Sequence, residues 1–147
     1  MSFRRHVEAD KRLSSAKLLA ETIAGLPAYE AHKRELLSVC LWKVTEAEGP
    51  SKYAIRYRSR GALGAAPEVL RHEHVLQRRR LVDRMLAEPI RAGEIALEAI
   101  GCVVTKEEHD RLTAVSRARP DLDGWARYRA AGVQIVDTTT GEEITLP

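Results

Sequence analysis

Three of the five histidines in this chain, His72, His74 and His109, stand beside acids and guanidinium groups. The tightest group is Arg71-His-Glu-His74, with Arg78 four residues after its second histidine. A neutral histidine next to guanidinium groups has its proton affinity lowered, which suits a general base working near neutrality. The same guanidinium groups could stabilise charge that develops on a phosphoryl transition state. His72 and His74 are two residues apart. On a strand they would share one face and could meet one metal, whereas on a helix they would diverge by roughly 200°. The plain alternative is that these histidines line or cap the start of a helix. His109 follows Glu107 and Glu108, with Lys106 one turn before it and Asp110 beside it. Acids gather in first helical turns anyway, so this run is a weak metal signal.

Residues 52 to 84 carry the basic character of the chain. Nine cations (Lys52, Arg56, Arg58, Arg60, Arg71, Arg78, Arg79, Arg80, Arg84) face three acids (Glu68, Glu73, Asp83), a local charge of +6 in a chain of net charge +3. Tyr53 and Tyr57 alternate with the first of these cations. Guanidinium for phosphate and ring for base is the combination used by surfaces that bind single-stranded nucleic acid. The competing reading is an ordinary two-faced strand, tyrosines inward and arginines outward. Trp125, Tyr128 and Arg129 share one helical face and read as core packing, with the arginine stem folded over the rings.

Glu73-His-Val75, then Val103-Val-Thr105 and Glu108-His-Asp-Arg-Leu112, resemble the opening and closing pieces of an HNH-type nuclease. The resemblance covers about 40 of the 147 residues. It implies His74 as the base that activates water, with Glu73 or His72 and His109 on the side of a divalent metal. The sequence departs from that pattern at the middle position, where an Asn is expected: the chain contains none. The glycine-rich stretch after the first motif is also replaced by a helical one, and structural zinc cysteine pairs are absent.

The length predicts one domain covering residues 1–147, large enough to bury its own core. A hydrophobic fraction of 44% beside 31% charged residues is that of a globular protein in water. No stretch approaches the roughly 18 apolar residues that a membrane span needs. The basic N-terminus turns polar rather than apolar, so a cytoplasmic location is expected. Cys40 and Cys102 lie in apolar runs and read as reduced core residues. Glycine-rich phosphate loops, nucleophile elbows and dinucleotide fingerprints are missing, which argues against nucleotide-cofactor enzymes and α/β-hydrolases.

These side chains need elements to position them. Apolar spacing predicts a helix over residues 8–24, ended by Gly25-Leu26-Pro27, and a second from about Ala28 to Leu37. The continuation to Val44 is readable as helix or strand. Tyr53 to Arg58 alternates like a strand. A helix is expected from about His72 to Ala87, with Val75, Val82, Met85 and Leu86 as its stripe and Arg71, His74, Arg78 and Leu81 in line. A short helix over residues 93–99 leads to a buried strand at Ile100–Val104. Thr105 and Glu108 form a capping box for the next helix. Asp121 or Asp123 should cap another helix running to Ala131, with Gly132 as its left-handed terminator. Val133–Val136 and Glu143–Leu146 read as a hairpin.

The expected fold is α+β: N-terminal helices, then a small mixed β-sheet with crossing helices and a C-terminal hairpin. The expected function is nucleic-acid binding, RNA or single strands before duplex, with cleavage by acid–base phosphodiester chemistry. His74 would be the base, His72 or His109 the acid, and Arg78 or a strand arginine the charge stabiliser, with Glu73 in support. Lys52, Arg56, Arg58, Arg60, Arg71, Arg79 and Arg80 would hold the phosphates. Metal dependence and a homodimer are left open. The alternative is a non-catalytic interaction module, regulatory or immunity-type, docking through its basic face.

Overall fold

A computed structural model describes residues 2–147. Among these residues the fold is α+β, with six α-helices and three single 3-10 turns around one five-stranded mixed sheet of order β2-β3-β1-β4-β5. Helices α1 (Ala9–Gly25) and α2 (Glu30–Glu46) form an antiparallel hairpin. Strands β1 (Tyr57–Ser59) and β2 (Leu70–His74) follow, then helices α3 (Arg78–Ala87) and α4 (Ala92–Ala96). Strand β3 (Gly101–Thr105), helices α5 (Lys106–Ala118) and α6 (Trp125–Ala130), and the short strands β4 (Ile135–Asp137) and β5 (Glu142–Glu143) complete the chain.

The helical half closes over Ala16, Ala20 and Ala24 of α1, which lie at four-residue spacing and are fully buried against α2, α3 and α4. Small side chains let the axes approach closely, so the longer Leu18 and Leu19 are left on the outside. The ambiguous stretch to Val44 is helix, because Leu37, Cys40, Leu41 and Val44 repeat at the helical period and face this core. Both cysteines are free and buried.

Strand β3 is the spine of the sheet. Val103 points to one face, while Cys102 and Val104 point to the other and pack with Leu112 of α5 and Tyr128 of α6. Burial of each such side chain is worth about 1.5–3 kcal/mol. Strand β3 runs parallel to β1 and antiparallel to β2. The capping box forms as expected: Thr105 Oγ1 accepts from the Glu108 N–H, and Glu108 Oε2 accepts from the Thr105 N–H at 2.8 Å. Glu108 is buried and also accepts from the Ser59 hydroxyl at 2.5 Å, which ties the start of α5 to β1. A Cβ on Gly61 would come within 2.6 Å of this carboxylate.

Four expectations are corrected. The helix from His72 does not form. Leu70–His74 is a strand, paired with β3 at five successive positions, and the helix starts only at Arg78. The apolar run Gly101–Val104 needs a pairing partner on this side, and that tertiary demand overrides the helical reading of the polar sequence beside it. The line Arg71, His74, Arg78 and Leu81 is therefore not one helical row. The strand expected at Tyr53–Arg58 is confined to Tyr57–Ser59, the residues before it being turns. Asp123 does not cap α6: it accepts the Gln77 N–H at 2.9 Å, just before α3. The α6 N-cap is Gly124, whose φ of 63° with ψ of −149° is open only to glycine. The C-terminal hairpin is real but shorter than the sequence suggests, pairing Val136 with Glu143 and Asp137 with Glu142.

Candidate functional site

Strand β2 lies at the edge of the sheet, and its alternation sends neighbouring side chains to opposite faces. His72 and His74 point toward α2, where Trp42 waits; Glu73 points toward α5 and α6. A cleft of about 630 Å³ wraps this edge, between α2 and α3 on one side and α5 and α6 on the other. Arg34, Arg78, Arg79 and Arg127 line it together with His72, His74, His109 and Trp42. Glu73 is the single acid in its lining.

On the α5 side, His109 Nδ1 meets Glu73 Oε2 at 2.5 Å. An ionised carboxylate only accepts, so Nδ1 carries the proton, and in the neutral imidazole Nε2 holds the lone pair. The other carboxylate oxygen takes Arg127 at 3.3 and 3.4 Å. Arg127 is itself buried, and its Nη2 donates to the carbonyls of His74 at 2.7 Å and Val75 at 3.3 Å. Arg127 thus fixes both the end of β2 and the carboxylate that orients His109. Its charge is paired with Glu73 and its Nη donors are used, while its Nε is buried without a partner among the described residues.

On the α2 side, the rings of Trp42, His72 and His74 form a cluster with centroids 4.7–5.3 Å apart. His72 is held at both nitrogens, by the Lys52 carbonyl at 2.6 Å and the Thr45 hydroxyl at 2.9 Å, and burial lowers its proton affinity. His74 is 6% exposed, and neither ring nitrogen has a partner among the described residues. Burial first, then the charges of His72, Arg78 and Arg127, push its pKa down to about 3. Arg78 lies over the Trp42 ring at 5.3 Å and donates to Ser38 Oγ at 2.9 Å, with no carboxylate in ion-pair range among the described residues.

The remaining cations of the basic window are dispersed. Arg56 makes a bidentate pair with Asp137, its Nη2 at 2.7 Å from Oδ2, and Arg60 reaches Glu143 at 2.5 Å. Arg80 pairs with Asp123 at 3.9 Å and Arg84 with Glu98 at 2.5 Å. Arg71 donates to the carbonyls of Glu68 and Leu70. Lys52 sits over Tyr53 at 4.9 Å, while Tyr57 is packed on Trp125. Arg58 lines a separate cavity with Arg4. Residues 52–60 and the histidine cleft therefore do not form one lining.

Of the residues singled out in the sequence, His72, Glu73, His74, Arg78, Arg79 and His109 come together. Trp42, Arg34, Ser38 and Arg127 join them from segments that carried no chemical signal; Arg127 was hidden in a run read as core packing. Among the described residues, no group of three or more His, Cys, Asp or Glu side chains is placed to hold a metal ion, and no helix is long and apolar enough to cross a membrane. Comparison with protein-family models, curated proteins and solved structures finds no match for this chain.

Proposed function

We propose that the edge cleft binds the phosphodiester backbone of single-stranded nucleic acid, RNA before DNA, and that His109 cleaves it by acid–base chemistry. The observation that carries this reading is His109 itself. Its Nδ1 is fixed on Glu73, and its ring lines a cleft shared with four arginines. A carboxylate-oriented imidazole is suited to taking a proton from a hydroxyl or a water. Arg78, held on Trp42 without a counter-charge, is the guanidinium best able to offset charge on the pentacoordinate phosphorus. His74, whose pKa lies at about 3, is too weak a base for neutral pH and serves instead as a neutral hydrogen-bonding wall. His72 is occupied at both nitrogens and supports that wall. The nuclease resemblance would put Glu73 and His109 on the side of a divalent metal, but both Glu73 oxygens are engaged by His109 and Arg127 and no third ligand stands beside them among the described residues.

The test is incubation of the purified protein with labelled single-stranded RNA, single-stranded DNA and duplex DNA, with and without chelator, beside His109→Ala and His74→Ala. Cleavage lost in His109→Ala supports the reading, and chelator sensitivity separates the metal-assisted from the metal-free route. A protein that neither cleaves nor binds these polymers overturns it. A protein-docking module is the second reading, favoured by the exposed Leu18, Leu19, Leu36 and Val39 on the α1–α2 hairpin. It predicts self-association, or a partner held without any need for His109.

A further inference from the structure

Arg56, Arg58 and Arg60 follow one another at alternate positions, yet only the middle one lacks an acid. Arg56 is paired with Asp137 and Arg60 with Glu143, and both are exposed. Arg58 is more buried than either, has no carboxylate in ion-pair range among the described residues, and keeps its Nε shielded from solvent without a partner. Burial accordingly lowers its pKa. A half-buried guanidinium with no counter-charge, beside a cavity, is a candidate to receive an anion.

Arg58 opens onto a cavity of about 830 Å³ that shares no lining residue with the histidine cleft. Its walls are chiefly apolar, from Phe3, Pro50, Ile55 and Leu63, and its second cation is Arg4. No acid lines it. Apolar walls with a few convergent polar groups are the usual make-up of a small-molecule site. We infer that this cavity binds a small organic anion: a carboxylate or phosphate monoester whose headgroup meets Arg58 and whose apolar body lies against Ile55, Leu63 and Phe3. The two arginines supply affinity for the headgroup and, with no acid in the lining, disfavour cationic ligands. The site is independent of the nuclease reading.

Titration calorimetry on the whole protein with octanoate, octyl phosphate, 1-octanol and inorganic phosphate tests this. The expected result is saturable binding of octanoate or octyl phosphate, with 1-octanol and inorganic phosphate each at least tenfold weaker. The two amphiphiles distinguish a carboxylate site from a phosphate site. Arg58→Met should weaken binding tenfold or more. Leu63→Asp, at the half-exposed lip, should do the same by charge repulsion without disturbing the core. Arg78→Ala, in the other cleft, should leave binding unchanged. Equal binding of octanol and octanoate, an unaffected Arg58→Met or Leu63→Asp, or no heat from any probe up to millimolar concentration would overturn the inference.

Discussion

His109 and Glu73 are 36 residues apart in sequence and 2.5 Å apart in space, the imidazole Nδ1 against the carboxylate Oε2. The contact exists because β2 turns Glu73 to the face on which α5 lies, and because the Thr105 cap starts α5 so that His109 falls in its first turns. It fixes the tautomer that leaves Nε2 able to accept a proton. Removing the imidazole with His109→Ala should lower single-turnover cleavage of labelled RNA by about 10²- to 10⁴-fold. Glu73→Gln, which keeps an acceptor for Nδ1 but loses the carboxylate charge, should cost less. Unchanged turnover in both variants, with circular dichroism reporting an intact fold, would remove the pair from the chemistry.

Burial of His74 makes stability depend on pH in a definite direction. Its pKa in the native state is about 3 against an ordinary value of 6.5. Between those values the unfolded chain binds a proton that the native protein does not. Stability is therefore fully present above pH 6.5 and is lost as pH falls, by about 1.4 kcal/mol per unit at most. His72, shifted the same way, adds to the loss. Urea unfolding midpoints measured between pH 7 and pH 4.5 should fall less steeply for His74→Leu than for the wild type. Parallel curves would mean that His74 is not the group responsible.

Ser59, Thr105 and Glu108 form one hydrogen-bonded unit, buried at Ser59 and Glu108 and half-buried at Thr105. Glu108→Ala leaves the Ser59 hydroxyl and the Thr105 N–H without their acceptor and should destabilise the fold by about 2–4 kcal/mol. Thr105→Ala should cost about 1 kcal/mol. Denaturant titration distinguishes the two, and a Glu108→Ala loss no larger than that of Thr105→Ala would show that the contact with Ser59 contributes little.

Compensated and uncompensated arginines should behave differently toward polyanions. Arg78→Ala or Arg79→Ala should weaken RNA binding and reduce the slope of log K against log salt by about one phosphate contact each. Arg56→Ala removes a cation already neutralised by Asp137 and should leave the slope nearly unchanged. An equal loss of slope in all three would indicate diffuse attraction to the whole surface rather than to the cleft.

Much of the fold could be read from local pattern. The α1 helix, the first half of α2, the β3 strand, the Thr105–Glu108 cap and the Gly132 terminator each carry a signal that no distant residue alters. The stretch around His72 was not readable in this way. Leu-Arg-His-Glu-His-Val alternates too weakly to announce a strand, and its state is decided by pairing with β3, about 30 residues on. The site suffered most from that, because strand geometry places Glu73 and His74 on opposite faces and so changes which histidine has a carboxylate. Trp42 and Arg127 were invisible for another reason: each sits in an ordinary helical run and becomes part of the cleft only through tertiary packing.

The acids that neutralise the basic window come from far along the chain. Asp137 is 81 residues from Arg56, and Glu143 is 83 residues from Arg60. These pairings exist only after folding, so the denatured or newly made chain presents its nine cations on a contiguous ribbon that the native molecule has partly cancelled. Polyanions will then compete with folding, holding the unfolded chain by mass action and lowering the apparent melting temperature as their concentration rises. Duplex DNA, which the native cleft is not proposed to hold, should act on this protein as a mild denaturant at low salt, and a few tenths molar salt should relieve the effect.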